Sequence, residues 1–210
     1  MRIAIIGTGN LGGALGLRWT AAGHDVTYGS RDPTSDRVQE LVRLGAGRAR
    51  AVPVAQAARE AEVIVLATPW GETEAALRQL GPIPGRVLVD ATNPLAPNLS
   101  GLTLGHDTSA GEQVAEWAPG ARVVKAFNTT GAGNIAAPRY GDQAITMFLC
   151  GDDPAAKAAV MGLAQDMGLE PVDAGPLAMA RYLEPLAMLW ISLAYLRGMG
   201  PNFALKILTR

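Results

Sequence analysis

The sequence is poor in the residues that most often carry catalytic chemistry. It holds one cysteine and two histidines among 210 residues, and aromatic residues make up only 5%. Cys150 cannot form an internal disulfide, and the apolar residues before it indicate a buried strand thiol. No His, Cys, Asp or Glu cluster has the spacing of a metal site, so no metal is expected. The sequence shows no nucleophile paired with a base either.

Charge and long apolar runs are also limited. The 18 basic residues are nearly balanced by 19 acidic ones, which gives a net charge of -1. The sequence therefore lacks the excess of basic residues that is typical of nucleic-acid binding. The longest apolar stretch, Leu186 to Leu196, is much shorter than the ~20 residues that cross a bilayer. Because Met1 and Arg2 lead directly into the first strand, no signal peptide is expected. We expect a cytoplasmic protein without nucleic-acid or membrane partners.

What the sequence does carry is a glycine motif between a strand and a helix. The apolar residues 3–6 lead into a G-x-G-x-x-G turn, and a helix to Ala22 follows. This order is typical of a dinucleotide-binding turn. Gly7 allows the tight turn, Gly9 lets the backbone approach a pyrophosphate, and Gly12 allows close packing. The predicted phosphate-binding residues are Gly7, Thr8, Gly9, Asn10, Leu11 and Gly12.

The end of the second strand predicts which dinucleotide binds. NAD-binding proteins carry an Asp or Glu at this position, about 20 residues beyond the glycines. Here the chain reads Ser30-Arg31, and a hydroxyl with a guanidinium can bind a 2′-phosphate that a carboxylate would repel. Asp32 follows, but Pro33 beside it indicates a loop or a helix start. NADP is therefore favoured over NAD.

The remaining chain alternates strand and helix patterns, with residues 62–67 as a continuous apolar run typical of a central parallel strand. We predict an α/β fold, a doubly wound and mostly parallel Rossmann sheet. Residues 1–174 form the NADP-binding domain, and residues 175–210 form a small C-terminal helical extension that is broken near residue 198. Residues 132–142 are predicted to be a loop. The extension is apolar nearly all round, which predicts a homodimer through these helices.

Two helix starts have local signals of their own. Ser109 and Glu112 have the spacing of a capping box, and Asp153 before Pro154 resembles an N-cap followed by proline. We interpret these residues as helix caps rather than as catalytic groups.

Ligands in such sheets lie beyond the carboxyl ends of the strands. Small neutral polar groups follow the predicted strands there, and a flat ring over the nicotinamide would lie between them. Trp70 has an alternative interpretation as core. The predicted wall residues are Thr68, Pro69, Trp70, Asn93, Asn128 and Thr129, with Gly151 at a further strand end.

An alcohol dehydrogenase needs a proton acceptor, and only His106 could approach this edge, unless it is a solvent-exposed loop residue. Hydride transfer between two bound cofactors needs no such residue, because ring orientation supplies most of the catalysis. No catalytic side chain is therefore predicted.

Several segments together resemble the NADPH-dependent coenzyme F420 reductases, from residue 1 to about residue 208. They are residues 7–12, 29–31, 69–70, 150–153, 173–177 and 198–200. The resemblance implies NADP on the glycine turn, a deazaflavin against the nicotinamide, and hydride transfer between NADP(H) and coenzyme F420. It also implies that Ser30 and Arg31 contact the 2′-phosphate.

One stretch departs from the archaeal members, which have His-Thr-Ile-Pro where this chain has Asn128-Thr129-Thr130-Gly131. The preceding run, residues 124–128, is more similar to the NADPH-binding domains of ferric reductases of the STEAP type. The basic residues Lys125, Arg139, Arg181 and Lys206 are scattered, so no cluster for the anionic tail of coenzyme F420 is evident. Alternatives are a flavin (FMN or FAD) or ferric reductase, a reductase of a small organic substrate, and a non-catalytic NADP(H) sensor.

Overall fold

A computed structural model describes all residues, 1–210, and its centre is an eight-stranded sheet. The order is β10-β9-β6-β5-β4-β1-β2-β3. The strands are β1 Arg2–Ile6, β2 Asp25–Ser30, β3 Ala49–Pro53, β4 Val63–Leu66, β5 Val87–Asp90, β6 Arg122–Ala126, β7 Arg139–Tyr140, β8 Gln143–Ala144, β9 Thr146–Gly151 and β10 Glu170–Asp173. The first six strands are parallel in the order 3-2-1-4-5-6. This is the doubly wound Rossmann order, and the prediction of the fold class is confirmed.

Helices cover both faces of the sheet. They are α1 Asn10–Ala21, α2 Asp36–Leu44, α3 Val54–Ala57, α4 Trp70–Leu80, α5 Ala110–Trp117, α6 Ala132–Ala136, α7 Pro154–Asp166 and α8 Ala180–Ile191. Side chains from α1, α6 and α7 form one hydrophobic core, and those from α3, α4 and α5 form the other. Parallel strands buried on both faces explain why residues 62–67 read as one apolar run.

Both predicted helix caps are confirmed. The Ser109 hydroxyl accepts a hydrogen bond from the backbone N–H of Glu112 at 3.2 Å. The Asp153 carboxylate accepts one from the N–H of Ala156 at 2.7 Å. Both side chains are therefore occupied in holding helix starts.

The direction of β9 corrects one prediction about the site. This strand runs antiparallel to β6, with Leu149 opposite Ala126 at the carboxyl end of β6 and Gly151 opposite Val124 in its middle. Its carboxyl end therefore lies at the edge of the sheet opposite the glycine turn. Gly151 is not part of the ligand edge, because an apolar strand pattern carries no information about strand direction.

Residues 132–142 are not the loop that we predicted. They contain α6, which packs against α1, and β7, which pairs with β8 in a short hairpin. Ile135 is fully buried, so one apolar side chain anchors a helix too short to show a period.

The C-terminal helical extension is confirmed, but its last residues are not helical. After α8 the helix widens into a π-turn, Ser192–Leu196, and residues 202–210 have no regular structure. The stretch Leu177–Leu196 is 20 residues long with mean hydropathy 1.2, so its length and composition alone would allow it to cross a membrane. In this structure 44% of the most apolar 18 residues of that stretch are buried within the fold. The final residues return to the sheet, where Thr146 donates its N–H to the carbonyl of Leu205.

Candidate cofactor site

A cleft of about 420 Å³ opens at the carboxyl edge of the parallel strands, where the strand order reverses between β1 and β4. Such a reversal is where dinucleotides bind in doubly wound sheets. The structure brings seven of the predicted residues together in its lining: Gly7, Thr8, Gly9, Ser30, Arg31, Thr68 and Pro69. Asn10, Leu11 and Gly12 form the first turn of α1 beside it.

The three glycines of the turn differ in their surroundings. A Cβ on Gly7 or Gly12 would overlap a backbone carbonyl, that of Ala67 or of Gly7 respectively, and Gly7 also has a φ of +110°. A Cβ on Gly9 would meet nothing within 4 Å. The fold therefore requires Gly7 and Gly12, whereas Gly9 keeps open the space in front of the helix.

The start of α1 suits a bound anion. Gly9 is the N-cap and provides no side-chain hydrogen bond to the first turn. The N–H groups of that turn remain available, and the helix dipole favours negative charge there. The turn thus fits the pyrophosphate of a dinucleotide.

At the end of β2 the cleft is lined by charged groups of both signs. The Arg31 guanidinium pairs with the Glu72 carboxylate of α4 at 3.2 Å, and both side chains are largely exposed. Asp32 accepts hydrogen bonds from the hydroxyl and the N–H of Thr34, which lower the pKa of its carboxyl. Asp32 therefore stabilises its own turn, while Ser30 and Arg31 remain as donors for a phosphate.

Sequence reasoning missed Arg37, which also lines the cleft. Its Nε donates to the carbonyl of Thr8 at 2.7 Å, and one Nη donates to the side chain of Asn10 at 2.9 Å. Arg37 thus fixes the glycine turn from α2 and adds a second cation. Its position in the first turn of α2, a few residues after Arg31, was the available signal.

Beyond β5 and β6, two asparagines form a reciprocal pair. Asn93 donates to the backbone carbonyl of Asn128 at 2.9 Å, and Asn128 donates back to the Asn93 side-chain oxygen at 3.0 Å. Asn128 also donates to the carbonyl of Leu183 in α8 at 3.4 Å. Its own side-chain oxygen is buried and has no donor. Thr129, next to it, is buried as well.

Beneath this pair lies an ionic cluster that the sequence did not reveal: Lys125, Asp90 and Glu184, all at most 1% exposed. The ammonium of Lys125 lies 2.8 Å from each carboxylate and donates to the carbonyl of Thr92 at 2.7 Å. Burial alone would lower the pKa of Lys125, but the two carboxylates outweigh burial and raise that pKa. Lys125 is therefore charged, and every donor that it carries is used.

Comparisons with known proteins agree with this geometry. The family model described as "NADP oxidoreductase coenzyme F420-dependent" matches residues 2–94. The F420-dependent NADP reductase of Methanothermobacter marburgensis is 33% identical over 210 residues, covering 92% of each chain. The chain belongs to the F420-dependent NADP reductase family. A proposed member from Arthrobacter sp. FB24 has a solved structure that superposes over the full length of both chains, with TM-score 0.90 and 32% identity.

A further relative is a longer protein. Metalloreductase STEAP3 of Rattus norvegicus is 33% identical over 189 residues, which cover 89% of this chain. The chain spans only 36% of the length of that protein. This finding agrees with the similarity of residues 124–128 to ferric reductases of the STEAP type.

Five residues considered for this family site lie outside the cleft lining: Asn93, Asn128 and Thr129 beyond β5 and β6, and also Trp70 and His106. Trp70 stacks on Trp117 of α5, with ring centroids 5.1 Å apart and planes at 25°, and packs against the second core. The alternative interpretation of Trp70, as core, is the one that this packing favours. His106 is exposed in the loop before α5.

The basic residues considered for the anionic tail are occupied within the chain. Arg181 pairs with Glu112 at 2.6 Å, and Lys206 pairs with Glu170. Arg139 donates to the carbonyl of Asp142 in the small hairpin. Together with the buried Lys125, none of the four forms part of a basic cluster.

Proposed function

We propose that the protein transfers a hydride between NADP(H) and coenzyme F420. The observation that carries this proposal is the cleft at the strand-order reversal, with an open glycine turn and Ser30-Arg31, in a chain of this family. When bound, NADP(H) and coenzyme F420 would supply the redox chemistry, in which a hydride passes between their rings and one proton is exchanged with solvent. No metal and no acid–base side chain enter the proposed reaction.

The chain's own residues would bind and orient the nucleotide. The free N–H groups of the α1 start hold the pyrophosphate, and Ser30 with Arg31 holds the 2′-phosphate. Arg37 holds the turn in its shape by bonding the Thr8 carbonyl. Thr68 and Pro69 line the same cleft at the end of β4.

On the acceptor side, Asn93, Asn128 and Thr129 are proposed to contact the ring end of the cofactors. Their place in the fold supports this, since Asn93 follows β5 while Asn128 and Thr129 follow β6, at the carboxyl edge of the parallel strands where such sheets bind ligands. These residues would place the two rings face to face and keep water away from the hydride.

The test is to mix the protein with NADPH and either coenzyme F420 or FMN and to follow the visible absorbance of each acceptor. Loss of absorbance with coenzyme F420 supports the proposal. A protein that binds NADPH but reduces neither acceptor contradicts it.

The second candidate is a flavin or ferric reductase, favoured by the 33% identity to metalloreductase STEAP3. It predicts rapid turnover with FMN, or with ferric iron in the presence of FMN, and none with coenzyme F420. The two hypotheses share the NADPH half of the site and differ only in the acceptor.

We further propose a homodimer through the C-terminal helical region. Several large apolar side chains are at least half exposed on α8 and the residues after it: Tyr182, Leu189, Tyr195, Leu196 and Met199. An exposed apolar surface of this kind is common at subunit interfaces. Light scattering should give a dimer, and Leu189→Arg should give a folded monomer. A monomeric parent protein would contradict the proposal.

A cytoplasmic location is proposed as well. The free, buried Cys150 and the use of NADPH suit a reducing compartment. Recovery of the protein in the membrane fraction of its native cells would contradict this.

A further inference from the structure

The buried ionic cluster and the asparagine pair form one closed set of contacts. Lys125 bonds Glu184 of α8 on one side and the carbonyl of Thr92 on the other. Thr92 precedes Asn93, which is paired with Asn128, and Asn128 donates to the carbonyl of Leu183, the neighbour of Glu184. The circuit thus returns to α8. The segments after β5 and β6 and the helix α8 are tied at a single place.

Glu184 is held from a second direction. Its two carboxylate oxygens accept the N–H groups of Ala110 and Gly111, at 2.9 Å and 3.1 Å, in the first turn of α5. The helix start offsets part of the carboxylate charge. Asp90 is likewise bonded by the N–H and hydroxyl of Thr92. The cluster leaves little freedom for Thr92.

Stability alone is a weak reason for such a cluster. Replacing a buried ion pair with apolar residues of similar volume is often neutral or stabilising. Buried ionic networks are more useful for fixing one arrangement of the groups around them. Here the groups being fixed are the segments that carry Asn93 and Asn128, the proposed ring-end contacts.

We propose that Glu184 and Lys125 are positioning residues, which set the Asn93–Asn128 pair and through it the alignment of the nicotinamide for hydride transfer. The inference rests on the proposed function of this edge as the nicotinamide site. Neither side chain touches a ligand, because both are enclosed by the protein. Their effect passes through Thr92 and through the backbone of α8.

The chain offers a matched control. Glu112 of α5 also joins α5 to α8, through bidentate contacts with Arg181 at 2.6 Å and 2.9 Å. That pair contacts neither Thr92 nor the asparagines. Glu184→Gln and Glu112→Gln therefore each remove one carboxylate from the α5–α8 contact, and only Glu184→Gln changes the circuit.

The first readout is the single-turnover rate of hydride transfer at saturating NADPH. We expect Glu184→Gln to slow it by about tenfold to a hundredfold, the usual effect of a small misplacement of reacting groups. NADPH affinity should stay within about twofold, and Glu112→Gln should match the parent protein in both measurements. Equal losses in the two variants would overturn the inference.

A second readout does not depend on the acceptor. The nicotinamide fluorescence lifetime of bound NADPH should shorten in Glu184→Gln, while the affinity for 2′,5′-ADP, which lacks a nicotinamide, should not change. An unchanged lifetime would overturn the inference even if the parent protein reduces another acceptor. If the parent protein reduces none, the proposed function fails separately. Should Glu184→Gln fail to fold, Glu184→Asp keeps the charge, withdraws it by one methylene and must show the same pattern.

Discussion

Replacement of Arg31 by Ala should separate NADPH binding from NADH binding. A hydrogen bond to a charged group contributes about 1.5–3 kcal/mol. Because the Arg31 side chain is 77% exposed in the free protein, we expect the lower end, about 1.5 kcal/mol or roughly a tenfold rise in the Kd of NADPH. The Kd of NADH, which has no 2′-phosphate, should change by less than about twofold.

Glu72 provides a control of opposite sign. Its carboxylate competes for Arg31, and an exposed pair of this kind is worth up to about 1 kcal/mol. Glu72→Gln should therefore tighten NADPH by up to about fivefold, less so at high salt, where exposed pairs are screened. Titration calorimetry of all three proteins with both nucleotides measures these effects. Equal losses for NADPH and NADH in Arg31→Ala would refute the assignment of β2.

Three further predictions concern the turn, the thiol and acid stability. Gly12→Ala should lower the unfolding temperature because its Cβ overlaps the Gly7 carbonyl. Gly9→Ala should unfold at the parent temperature but lose NADPH binding, and calorimetry with and without NADPH distinguishes the two effects. Burial raises the pKa of Cys150 to about 12, so a thiol reagent at pH 8 should label only unfolded protein, and rapid native labelling would be contrary evidence. The hydrogen bond from Arg181 holds the pKa of Glu112 below its ordinary value of 4.5. The Glu112–Arg181 pair therefore stabilises the folded protein above pH 4.5, and this stabilisation is lost as the pH falls through the lower pKa of the folded state. Denaturant unfolding should show that the parent protein is more stable than Glu112→Gln near neutral pH and that this difference disappears in acid. A difference that does not depend on pH would contradict this.

The features that the sequence predicted well are those encoded locally. The glycine turn, the order of strands and helices in the first half and the caps at Ser109 and Asp153 each depend on residues a few positions apart. These signals arise from backbone geometry and hydrogen bonding within one turn. They can therefore be recognised without knowledge of the tertiary structure.

The features that it missed depend on contacts between distant residues. A lysine in an apolar strand gives no sign of its partners, and Lys125 meets Asp90 and Glu184 only after the sheet and α8 have assembled. The reversed direction of β9 and the return of residues 202–210 to the sheet are also set by tertiary packing. The same holds for Trp70, whose stacking on Trp117 requires α4 and α5 to pack together.

The central claim is that the hydride acceptor beside NADPH is coenzyme F420. Its most direct test is the initial rate of absorbance loss of oxidised coenzyme F420 with NADPH, measured beside the same assay with FMN. We predict turnover of coenzyme F420 that requires NADPH and falls with Arg31→Ala at limiting nucleotide. Turnover of FMN alone, or of neither acceptor by a protein that binds NADPH, would contradict the claim.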